Sequence, residues 1–129
     1  MPVRSLSSSV LKWPNRTTVD TALRSMAVRL AAAHPQLLRL GYFGSYARGE
    51  WGVGSDLDII AIVQSSGDPF VERARAFDIS GLSVPAEILV FTSEEWSAMQ
   101  REGRRFVRDV EREAVWVFSR PAQEEMGSE

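Results

Sequence analysis

Two hydrophobic rhythms alternate along the chain. From Thr17 onward, Val19, Leu23, Met26 and Leu30 recur at spacings of three and four, which draws one apolar stripe along a helix. Thr17 or Thr18 can cap its start, Asp20 suits its first turn, and Pro35 stops the run near His34. LLRLGYF, residues 37–43, is short and apolar and runs into Gly44, so it predicts a buried strand. DLDIIAIV, residues 56–63, predicts a second one, closed by the turn-forming stretch from Ser65 to Pro69. PFVERARAFDIS, residues 69–80, has the charge mix of a short surface helix but a poor period. VPAEILVF, residues 84–91, predicts a third strand, with Pro85 confined to its start or to an edge. SEEWSAMQREGRRFVRDV, residues 93–110, predicts a helix with Ser93 as N-cap and two acids in the first turn, weakened in its middle by Gly103, where it could break. AVWVF, residues 114–118, predicts a fourth strand.

The order helix, strand, strand, short irregular segment, strand, helix, strand implies an α+β domain in which a small mixed sheet is packed with helices. The domain is expected over residues 17–118, after a Ser-rich N-terminal arm (1–16) and before a polar, disordered tail (119–129). Val10, Leu11 and Trp13 could anchor the arm.

Composition narrows the chemistry. The 129 residues suffice for one domain, and shares of 44% hydrophobic and 25% charged residues are those of a water-soluble core-forming chain. A net charge of −2 gives no overall pull toward nucleic acid or anionic lipid, so any anion site must be local. There is no cysteine, which excludes disulfides, thiolate metal sites and cysteine nucleophiles. His34 is the only histidine, which excludes a multi-histidine metal cluster. No apolar run reaches the ~18 residues of a membrane span and the start lacks a signal-peptide core, so a cytoplasmic protein with no membrane partner is expected.

The chemically suggestive stretch is GYFGSYARGEWGVGSDLDII, residues 41–60. Residues two apart in a strand share a face, so Asp56 and Asp58 point the same way and Ile60 and Ile62 continue their face. Paired carboxylates beside apolar surface raise one another's pKa, and a divalent cation relieves that cost. Magnesium suits such oxygen ligands and commonly shares them with phosphates. Alone, Asp-Leu-Asp reads equally well as solvated acids at a strand end. Glu87 adds weight: it is a lone acid inside a predicted strand, on the face of Leu89 and Phe91, where a carboxylate is costly unless solvated or paired. On neighbouring strands, Asp56, Asp58 and Glu87 would converge; on an exposed edge, Glu87 would simply sit in water.

Gly44 and Ser45 follow a predicted buried strand directly. A glycine there lets the backbone approach a ligand, and a helix starting at Ser45 would offer free N–H groups to an anion, with Arg48 in the same turn. No Gly-Lys-Ser/Thr follows and the glycine spacing is not that of a dinucleotide fingerprint, so neither familiar phosphate loop is present.

Gly44-Ser45, then Asp56-Leu57-Asp58, then Glu87 on a later strand resembles the nucleotidyltransferase superfamily with the DNA polymerase β-like fold. The wider string GSYARGEWGVGSDLD is similar to the minimal nucleotidyltransferases, a likeness covering roughly residues 17–118. Many relatives carry Asp where Glu87 stands, so the match there is looser. The resemblance implies catalytic and metal-binding roles for Asp56, Asp58 and Glu87, two Mg2+ ions, and nucleotide-phosphate contacts by Gly44, Ser45 and Arg48. It implies transfer of a nucleoside monophosphate, with ATP the expected donor, onto a hydroxyl. It also implies a partner, since such proteins often pair with small helical HEPN proteins as toxin–antitoxin systems and can adenylylate a tyrosine of the toxin. Assembly into a homo-oligomer is left open. A different class of reading is a binding module that keeps the fold without the chemistry; small-molecule transfer is a third, although such relatives usually add a helical domain for which this chain has no room.

Other signals are weaker. Trp51 could stack on a base or pack on its own domain. Arg101, Arg104, Arg105, Arg108 and Arg112 read first as a solvated helix face. His34 is assigned no chemistry, and Trp13, Trp96 and Trp116 are read as packing.

Overall fold

A computed structural model describes residues 13–121; most of the expected N-terminal arm and tail lie outside the described residues. Helix α1 (Arg16–Ala33) leads into strand β1 (Leu37–Phe43), a single helical turn α2 (Ser45–Arg48) and strand β2 (Leu57–Val63). A crossover containing the short helix α3 (Phe70–Arg73) and a 3-10 turn (Ala74–Ala76) reaches strand β3 (Ala86–Thr92). Helices α4 (Ser93–Arg101) and α5 (Arg105–Glu113) then precede strand β4 (Val115–Ser119).

The four strands form one mixed sheet in the order β3-β2-β1-β4. β1 runs antiparallel to both β2 and β4, while β2 and β3 are parallel. From Ile59 to Val63, β2 reads as an unbroken apolar run because it is central and covered on both faces. On one face Leu57, Ile59, Ala61 and Val63 pack with Val19, Leu23, Met26, Ala27 and Leu30 of α1. On the other, Ile60 and Ile62 meet Trp96, Val107 and Val110, with Phe43, Phe91 and Phe106 around them. Each of these buried aliphatic side chains contributes roughly 1.5–3 kcal/mol relative to exposure.

The predicted elements appear, with shifts at their ends. The cap of α1 is Asn15, not Thr17 or Thr18: its side chain accepts from the Thr18 N–H, and both threonines already lie in the helix. Thr92, not Ser93, caps α4, because strand passes to helix without a loop, and Glu95 completes a reciprocal capping box. The helix expected over 93–110 breaks at Gly103, the weak point noted in the sequence, into two helices. Gly103 has φ 69°, and the N–H groups of Gly103 and Arg104 bond the carbonyls of Gln100 and Met99, a Schellman ending that turns the chain before α5 begins. The ambiguous 69–80 segment holds one turn of α-helix followed by a 3-10 turn.

Several side chains noted in the sequence have packing roles. His34 stacks on Phe77 at 4.2 Å, and Trp51 lies parallel to Tyr46 at 5.8 Å. The Arg39 guanidinium covers the Trp116 ring at 3.7 Å. Trp13 is half-buried against the core, and Trp96 is buried. The arginines at 101, 104, 105, 108 and 112 are exposed. No helix among the described residues is long and apolar enough to cross a membrane.

Candidate active site

One end of the sheet gathers the acids and the glycine-serine turn singled out in the sequence. There β1 finishes at Phe43, β2 begins at Leu57, β3 begins at Ala86 and α5 ends at Glu113. Phe43 pairs across the sheet with Asp58, and Asp58 pairs in register with Glu87 on parallel β3. In-register residues on adjacent strands present side chains to the same face, so Asp58 and Glu87 stand side by side. Ile60 and the pair Ile62–Phe91 continue that face into the apolar cluster. Asp56 immediately precedes β2; it and Glu87 are exposed, while Asp58 is half-buried.

Gly44 makes room for this arrangement. Its φ is 83°, and a Cβ added there would collide with Oδ2 of Asp58. The same residue begins the turn into α2, which puts Ser45 and Arg48 beside the aspartates. Gly44, Ser45, Arg48, Asp56 and Asp58 share a cleft of about 470 Å³ with Phe43, Phe106, Asp109, Val110 and Glu113. Glu87 lies on the sheet's edge strand and lines a separate shallow groove with Ala74, Arg75 and Ile79.

Burial raises the Asp58 carboxyl above its ordinary range, and the negative charges of Glu87 and Asp56 raise it further. Arg48 offsets part of this, and Glu113 adds to it. The cleft is thus short of positive charge around its half-buried acid. Among the described residues no three acidic or histidine side chains are gathered closely enough to cage a metal ion as they stand. The donor set nevertheless suits a hard cation: carboxylate oxygens, adjacent in register, whose mutual repulsion a divalent ion would relieve.

The sequence did not single out the wall contributed by α5. Phe106, Asp109, Val110 and Glu113 all line the cleft, at the i, i+3, i+4, i+7 spacing of one helix face. The Gly44 N–H donates to Glu113 Oε2 at 2.7 Å, and Arg48 Nη1 reaches the same oxygen at 3.2 Å. Glu113 lies three residues beyond the stretch 93–110 that the sequence predicts as helix, so the last position of this face fell outside it.

A second hollow, about 190 Å³ and at the far end of the sheet, includes His34, Asp68 and Arg73. Its cation is already committed, because Arg73 makes paired bonds to Glu95 at 2.7 and 2.9 Å and donates to the carbonyls of Asp68 and Val90.

Residues 26–117 match the family model of the nucleotidyltransferase domain. The chain belongs to that family. It is a nucleotidyl-transferring enzyme of the polymerase β-like α+β fold, and its likeness to the minimal members of the superfamily agrees with this. No curated protein matches the sequence. Among solved structures, this nucleotidyltransferase shares its fold with a Sulfolobus solfataricus protein provisionally described as a nucleotidyltransferase. That pair has TM-score 0.60 and 16% identity, over 83% of this chain and 86% of the other. A chain from a toxin–antitoxin complex with AMP-PNP gives TM-score 0.53 and 19% identity, over 80% of this chain and 78% of that one. A chain from an MntA–HpeT toxin–antitoxin pair in which two aspartates are replaced by glutamate gives TM-score 0.50 and 16% identity, over 80% and 78%. At these identities the likeness is one of fold.

Proposed function

We propose that the protein transfers the AMP group of ATP onto an acceptor hydroxyl, with magnesium bound by Asp56, Asp58 and Glu87. The observation that carries this reading is the in-register pairing of Asp58 with Glu87 beside a glycine whose missing side chain admits the Asp58 carboxylate. Asp56 lies next to the pair, so acids from two strands can face one ligand. Two magnesium ions bound there would neutralise charge on the entering and leaving oxygens of an in-line displacement.

The chain's own groups supply the rest. The Gly44 N–H, the Ser45 hydroxyl and the Arg48 guanidinium bind and orient the β- and γ-phosphates, leaving the α-phosphorus toward the aspartates. The acceptor oxygen attacks that phosphorus, the bond to the bridging oxygen breaks, and pyrophosphate leaves. Glu87, beside Asp58, favours loss of the acceptor's proton.

The proposed acceptor is a tyrosine of a small helical partner of the HEPN type, which would make this chain the antitoxin of a pair. Support comes from the fold it shares with chains of toxin–antitoxin complexes. The test is incubation with labelled ATP and magnesium, with and without the product of the adjacent gene. Label on that product is the expected result, lost with Asp58→Asn.

A narrower reading, binding of nucleotide or partner without transfer, is favoured by one observation: Glu87 is exposed on an edge strand, and the acids are not gathered into a cage as they stand. A rise in melting temperature with Mg·ATP, without label on any acceptor, would select it.

A further inference from the structure

Two of the three donors assigned above to phosphate, the Gly44 N–H and Arg48, are already in use. The Gly44 N–H is taken by Glu113 Oε2 at 2.7 Å, and Arg48 Nη1 lies 3.2 and 3.5 Å from the two Glu113 oxygens. Gly44 and Glu113 are 69 positions apart in sequence, so the contact is made by the fold rather than by a local turn. Only 15% of the Glu113 side chain is exposed. A carboxylate held between a backbone N–H and a guanidinium has the same hydrogen-bonding pattern as a phosphate oxygen.

Other acids stand close by. Glu113 is among the charges that raise the Asp58 carboxyl, and Asp56 and Asp109 line the same cleft. Arg48 also has a second carboxylate partner, Glu50 at 2.8 Å, so its charge stays paired when Glu113 is displaced.

We propose that Glu113 is an internal stand-in for the nucleotide's phosphate: it keeps the Gly44 N–H and Arg48 oriented in the free protein and is displaced when a nucleoside triphosphate enters. This deepens the reading given above and rests on it. Glu113 thereby sets the affinity for nucleotide. Entry of the phosphate breaks a charge-assisted hydrogen bond and leaves a carboxylate beside an anion. With a neutral amide in its place the repulsion vanishes, and the bond to be broken is an ordinary neutral one, weaker than the charge-assisted bond.

Calorimetric titration of ATP, in magnesium chloride, into the wild-type protein and into Glu113→Gln tests this. The glutamine keeps the size and the backbone contact, so the fold is retained. The variant is expected to bind ATP about tenfold more tightly, the scale of one charge-assisted hydrogen bond. The Gly44 amide proton resonance should move upfield in Glu113→Ala and return toward its original position when ATP saturates that variant. Wild-type binding with equal or weaker binding by Glu113→Gln overturns the inference and leaves the proposed function standing. Absence of ATP binding in both proteins overturns the two together.

Discussion

Oδ2 of Asp58 occupies the space that a side chain at residue 44 would need. Two positions 14 residues apart in sequence are therefore coupled sterically, by contact across the β1–β2 pairing. Gly44 also has φ 83°, where any residue with a Cβ is strained. Gly44→Ala is accordingly expected to cost about 1–2 kcal/mol of stability and to push Asp58 out of line. The transfer rate should fall well beyond what the stability loss explains. Gly103→Ala is the control: its φ is 69°, but nothing lies within 4 Å of the added Cβ. It should cost about 1 kcal/mol in unfolding experiments and leave transfer unchanged.

Asp58→Asn should separate activity from stability. Burial and the charges of Glu87 and Asp56 hold the wild-type carboxyl above its ordinary range, so at neutral pH the ionised group opposes folding. Removing the charge should raise the melting temperature of the ligand-free protein by about 2 °C. Label transfer should fall by about a hundredfold. The sign with pH follows from the raised pKa. As pH falls through that value, wild-type Asp58 takes up its proton, the repulsion disappears, and the thermal advantage of the variant narrows. A variant less stable than wild type at neutral pH would contradict this account.

Glu95 gives the opposite pH dependence. Its paired bonds from Arg73, opposed by burial and aided by the Thr92 N–H, hold its carboxyl down to about 2 from an ordinary 4.5. The stabilisation is therefore complete above about 4.5 and is lost as pH falls toward about 2. Because the Glu95 side chain is 42% exposed, solvent screens part of the effect. Glu95→Gln is expected to cost about 1–2 kcal/mol at neutral pH. Melting temperatures of the two proteins, followed from neutral pH to pH 2, should converge at the acid end. A gap of constant size would show that the charge on Glu95 is not its source.

Trp51 distinguishes packing from base recognition. Its ring lies 5.8 Å from Tyr46 at an interplanar angle of 5°, and the Tyr46 hydroxyl donates to the Pro14 carbonyl. Trp51→Ala should lower stability by about 1–2 kcal/mol through lost burial and stacking. The apparent KM for ATP should change less than about twofold. A KM rise of tenfold with unchanged stability would assign the indole to the nucleobase instead.

Much of this architecture could be read from the periodicity, for a specific reason. The α1 stripe from Val19 to Leu30 and the doubly covered strand from Leu57 to Val63 are long, regular patterns, and each is buried as its pattern requires. The alternation of Leu57 and Ile59 against Asp58 and Ile60 likewise places the first pair with α1 and the second toward α4 and α5. Element ends were harder, because caps depend on where the preceding segment stops. Asn15 and Thr92 took the capping positions by virtue of backbone conformation, not residue type alone. The pairing of Asp58 with Glu87 needed knowledge of which strands are neighbours, which no local pattern carries. Glu113 was hidden for a related reason: it lies beyond the expected end of its helix at Val110, and its contact with Gly44 joins positions 69 apart in sequence.

The parallel pairing of β2 and β3 also settles where the molecule can be modified safely. A chain leaving β2 at Val63 must return along the whole sheet before β3 can start at Ala86. The exposed bend through Ser65, Ser66, Gly67 and Asp68 therefore lies a full strand length, about 20 Å, from the aspartates. Peptide tags, fluorophores or immobilisation tethers spliced into that bend would leave the reactive end of the protein unobstructed.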